Sequence, residues 1–162
     1  MMNHKDIEKK ADEFAGVYSE PPVPIYGIAR DNKVEVYTAD FGKFSDRFSG
    51  FCDFENDNIY LNEKDTTERQ CFTAAHEFGH WVLHRDDYIA DPERYAFMSK
   101  RTETANGNPD DPMEREADCF ATCLLMPRLL VKKFHPHYSP SDLADMFNVP
   151  LDLMEKRLKE VL

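Results

Sequence analysis

Apolar residues recur at Ile7, Ala11, Phe14, Ala15 and Tyr18, a spacing that lines one face of a helix and predicts an amphipathic packing element over Asp6 to Tyr18. Pro21, Pro22 and Pro24 close it. The pattern then changes to short runs of strand formers at Val34 to Tyr37, Phe51 to Phe54 and Ile59 to Leu61. Asn56, Asp57 and Asn58 between the last two runs are a turn signal, so a hairpin in a small antiparallel sheet is expected, with Gly42 and Gly50 at bends. From Thr67 the period is helical again. Thr67 and Gln70 have the spacing of a capping box, and this helix should reach about His84. The stretch from Arg85 to Asp111 is polar and longer than most connections in a compact domain, the profile of a substrate-contacting lid or of a surface insertion. Asp111 as N-cap and Pro112 as first helical residue then open another helix, which Pro127 stops or bends. Ser139-Pro140 and Val149-Pro150 start two short helices that form a C-terminal cap over about 139–162. These elements describe a mostly helical α+β chain, one domain over 1–162, with the sheet packed beside the helix that begins near Thr67.

That helix carries His76, Glu77 and His80. Residues four apart on a helix are turned by about 40° and separated by about 6 Å, so both imidazoles share a face and can hold one metal ion. Glu77, beside the ion but not bound to it, is placed to take a proton from an activated water and return it to a leaving amine. The arrangement points to a zinc-dependent peptide-bond hydrolase with Glu77 as general base.

A catalytic zinc site needs a third protein ligand. His84 lies about 12 Å along the helix from His76, too far to share the ion, and is read as an outer partner or a residue facing the helix C-terminus. On the helix after Pro112, Glu114 and Asp118 lie within about 40° of each other on an apolar stripe, whereas Glu116 falls near 200° and reads as solvated. The pair fits a ligand, Glu114, followed by an acceptor for a ligating histidine, Asp118. Glu114 also has the spacing from Asp111 to complete a helix cap. Tyr60, His84 and Tyr95 are candidate donors to an oxyanion, and the sequence does not choose among them.

Composition narrows the partners. A formal charge of −11 disfavours unaided binding to nucleic acid, and the segment Ser141 to Leu158, which could pass for a helix-turn-helix, carries four acids against two basic residues, with Lys159 just beyond it. No apolar run is long enough for a membrane span and the charged N-terminus lacks a leader pattern, so a cytoplasmic protein is expected. Cys52, Cys71, Cys119 and Cys123 are expected to be free thiols. Cys119 and Cys123 are spaced to share a metal, but no sequence neighbour completes that site.

The segments Arg69 to His84 and Glu114 to Pro127, with Leu143, Ala144, Phe147, Val149, Arg157 and Leu158 in the tail, resemble the ImmA/IrrE family of metallo-endopeptidases over nearly the whole chain. Ser49-Gly50 and Ile59 to Asn62 also look like that family's short sheet. The resemblance implies one Zn2+ held by His76, His80 and Glu114, with Glu77 as base and Asp118 as the outer acceptor where many relatives carry Asn. It also implies a protein substrate, a helix-turn-helix repressor of a mobile element or stress response, which such proteases cleave or otherwise inactivate. The competing reading is a non-catalytic, metal-clamped regulator that inactivates a repressor by binding it.

Overall fold

Helix α1 (His4–Ala15) begins where the Asn3 side chain accepts from the Asp6 backbone N–H, and it buries Ile7, Ala11 and Ala15, the face predicted by their spacing. The computed structural model describes residues 1–93 and 110–162. Helix α2 (Ile25–Asp31) follows the prolines, an element of two turns that is too short to announce itself by periodicity and is seated by buried Ile25, Ile28 and Ala29. Strands β1 (Glu35–Ala39), β2 (Gly50–Asp53) and β3 (Asn58–Asn62) form a sheet in the order β1-β3-β2. The β2–β3 hairpin is antiparallel as expected, with Asp57 in the left-handed region at its turn. The sheet as a whole is mixed, however, because the chain crosses from β1 to the far edge before making the hairpin, which leaves β3 parallel to β1.

Helix α3 (Thr67–Ala90) lies against the face carrying Cys52, Ile59 and Leu61. Gly50 faces it: a Cβ there would sit 2.7 Å from Thr73 Cγ2 and 2.6 Å from the Tyr60 carbonyl oxygen, so the glycine serves close packing rather than a bend. The N-cap is Thr66, one residue before the expected Thr67, and its hydroxyl accepts from the Arg69 N–H at 3.3 Å. Gln70 closes no box; its amide donates to the Asn62 carbonyl at 3.0 Å and ties the helix start to β3. The helix also continues past His84. Its last turns pack on the hairpin, where Tyr88 stacks on Phe54 at 4.5 Å and Asp57 accepts from both Trp81 and Arg85 at 2.8 Å.

Helix α4 (Pro112–Leu125) opens on Asp111, whose carboxylate accepts from the Met113 N–H. It packs against α1 and α3 through Phe14, Phe78 and Phe120, with the Phe14 and Phe78 rings edge to face at 5.3 Å. At Gly79 a Cβ would lie 3.0 Å from Phe120 Cδ1 and 3.3 Å from the Ala117 carbonyl, so the glycine between the two histidines lets the backbones of α3 and α4 approach. Pro127 ends α4 and precedes α5 (Arg128–Phe134); α6 (Pro140–Phe147) and α7 (Leu151–Val161) follow. A buried ion cluster locks these ends together. Arg157, fully buried, donates to Glu8 Oε1 at 2.7 Å, to the Met126 carbonyl at 3.0 Å and to Glu160 at 3.3 Å, and Arg128 forks onto Glu8 at 3.2 Å. The chain is thus α+β and mostly helical, and no described helix is long and apolar enough to cross a membrane.

Candidate metal centre

Helix α3 sets His76 and His80 one turn apart with their Nε2 atoms 3.1 Å from each other. Glu114 reaches them from α4, one carboxylate oxygen 3.2 Å from His76 Nε2 and the other 3.1 Å from His80 Nε2. A tetrahedral ion with bonds of about 2.0–2.1 Å spaces its ligands by about 3.3 Å, so this triangle of two nitrogens and a carboxylate fits a divalent ion closely. Two imidazole lone pairs and a carboxylate facing one point repel one another unless positive charge lies among them. The Asp111 cap is occupied by the Met113 N–H, while the Glu114 carboxylate is directed to the histidines.

The outer ring nitrogens explain why Nε2 faces inward. His76 Nδ1 lies 2.7 Å from Asp118 Oδ1, so its proton is held there. His80 Nδ1 lies 2.9 Å from His84 Nδ1, and His84 Nε2 lies 2.8 Å from Glu116 Oε2. Because Glu116 as a carboxylate only accepts, His84 carries its proton on Nε2, and its Nδ1 is then free to accept from His80. The Met2 backbone N–H donates to the other Glu116 oxygen at 2.7 Å. One proton arrangement therefore satisfies the whole row and leaves the His80 Nε2 lone pair pointing at Glu114.

The reading of Glu116 as solvated is overturned. It is 9% exposed, because the segment ahead of α1 covers that side of α4 and supplies the Met2 N–H. Asp118, by contrast, has a half-exposed side chain at the rim. His84 is buried behind His80 with both ring nitrogens engaged. Its signal in the sequence was the even ladder of histidines at 76, 80 and 84; Glu116 had none, since its partners come from far along the chain. Tyr60 stacks between Tyr37 and Phe51 on the face of the sheet opposite α3, the helix that carries the histidines. Tyr95, with most of the polar stretch after α3, lies outside the described residues.

The electrostatics follow from burial and pairing. Burial opposes the charged form of His76, but its hydrogen bonds to Asp118 and Glu114 outweigh this and lift it to about 10. Burial alone would raise Glu114; contact with His76 and His80 instead pulls it well below the usual carboxylate range. Glu77 is raised by burial, only partly offset by the two histidines. Burial and then the neighbouring His80 push His84 down, which favours the neutral ring required by the proton arrangement above.

The family described as IrrE N-terminal-like domain, a peptidase family, matches residues 29–159. The radiation response metalloprotease IrrE of Deinococcus radiodurans is 30% identical over 95 residues, which cover 59% of this chain and 27% of that protein, so the chain aligns with a minor part of its relative's length. A Mycobacterium tuberculosis transcriptional regulator has a similar structure, with a TM-score of 0.65 and 14% identity over 95% of this chain and 46% of its own. At that identity the likeness is one of fold.

Proposed function

The chain belongs to the IrrE N-terminal-like domain family of peptidases, and from that premise we propose that it is a zinc endopeptidase acting on a protein substrate, a helix-turn-helix repressor. The observation that carries the reading is the convergence of His76 Nε2, His80 Nε2 and the Glu114 carboxylate, all three separations being 3.1–3.2 Å. Two imidazoles and one carboxylate are a set used by catalytic zinc, which when bound supplies Lewis acidity to a peptide carbonyl and lowers the pKa of water. Glu77, raised by burial, is the base that takes the proton from the attacking water and passes it to the leaving amine. Asp118 and the His84–Glu116 pair fix the rings of His76 and His80. Residues 1–162 act as one metallopeptidase domain, with 139–162 as its helical cap. The repressor substrate rests on the family resemblance alone.

Glu77→Gln separates catalysis from binding. The variant should retain zinc by elemental analysis and lose cleavage of the candidate repressor into defined fragments. Undiminished cleavage would remove Glu77 from its role. A wild-type protein that binds the repressor and leaves it intact would favour the sequestering regulator instead.

A further inference from the structure

We propose that His4, Cys119 and Cys123 form a second metal site, for a thiolate-seeking cation of the Zn2+ class, on the side of α4 away from Glu114. Cys119 and Cys123 are one turn apart and, on the helical wheel, stand roughly 140–180° from Glu114, so the two sites share a helix but no ligand. The sequence offers the thiol pair without a third donor; the fold supplies it by docking the start of α1 on α4. The imidazole and the two sulfurs place one ligand atom each within 4.8 Å of one another. Two sulfurs and one nitrogen are a set that selects Zn2+ and similarly soft ions over Mg2+ or Ca2+, with water able to complete four-coordination.

Three features favour capture. Cys119 is partly exposed and His4 exposed, so an ion has access, while Cys123 is buried and gives the site a fixed floor. The backbone under His4 is fastened on the preceding side: Asn3 caps α1, and the Met2 N–H is held by Glu116. The two sulfurs, one helical turn apart, already lie within 4.8 Å of each other and of an imidazole nitrogen, so no turn of α4 has to open to bring them to one ion. An ion here would pin the N-terminal segment that supplies Glu116 with its second hydrogen bond.

Cadmium is the probe, because its thiolate complexes absorb in the ultraviolet and a site made of His76, His80 and Glu114 contains no sulfur. The metal-stripped full chain is titrated while absorbance and bound ions per chain are followed. Wild type should bind two ions with a thiolate band. H76A/E114A should keep one ion and the full band, and C119S added to that background should lose both. H4Q, at an exposed position where folding is not at stake, should weaken the thiolate-linked ion by more than about 10-fold, the least expected when even an outer partner of a metal costs 10- to 100-fold. Absence of the thiolate band in H76A/E114A overturns the site, and unchanged affinity in H4Q overturns its three-ligand form.

Discussion

Around Arg157 the protein encloses a buried cation with its own groups, Glu8, Glu160 and the Met126 carbonyl. Around His76, His80 and Glu114 it does the reverse, turning electron-rich atoms toward one another. Both clusters are largely removed from water, yet the first has its positive charge built in, whereas in the function proposed above the second receives it from a bound ion. A closed ion cluster joins helices and does nothing else. An open one has a stability and an activity that follow the supply of an ion.

The largest effect that tests this contrast is expected from Glu114→Ala, which should abolish specific zinc binding in a titration while the metal-stripped protein melts close to wild type; retained zinc affinity would mean that the cluster is not the metal centre. Glu8→Ala should do the opposite. Leaving the fully buried Arg157 without its closest carboxylate should cost about 3–5 kcal/mol in denaturant unfolding, with little change in zinc affinity of the folded protein. If that variant also lost zinc, the two clusters would be a single unit. Glu116→Gln weakens the acceptor that fixes the tautomer of His84 and through it the ring of His80, and should lower zinc affinity about 10-fold or somewhat more. Asp118→Ala should have the smallest effect, at or below about 10-fold, because its half-exposed side chain can be replaced by water as the acceptor for His76. A larger loss at Asp118 than at Glu116 would reverse the ranking of buried over exposed partners.

How much of this was legible in the sequence depends on how far apart the interacting residues lie. His76 and His80 are related by one helical turn, and Glu114 and Asp118 by another, so their grouping follows from periodicity alone. The helix starts at Asp111 and Ser139 were readable for the same local reason. The burial of Glu116 was not, because the helical wheel knows only the face of α4 and not that residues ahead of α1 cover its other side. The parallel pairing of β1 depends on where a connection crosses, and the extension of α3 to Ala90 on a ring and an ion pair contributed by the hairpin. The first helical turn is capped by Thr66 rather than Thr67, and the Gln70 amide donates to the Asn62 carbonyl on β3, a long-range contact that no local spacing announces.

The hydrogen bond from Met2 to Glu116 also bears on how the protein should be handled. Residues at a chain start are ordinarily the safest place for a purification tag or a trimmed boundary. Here an N-terminal fusion, or removal of the first three residues, would disturb the hydrogen-bond row that ends on the ring of His80. Differences in zinc content between preparations should therefore first be compared with what was done to residues 1–3.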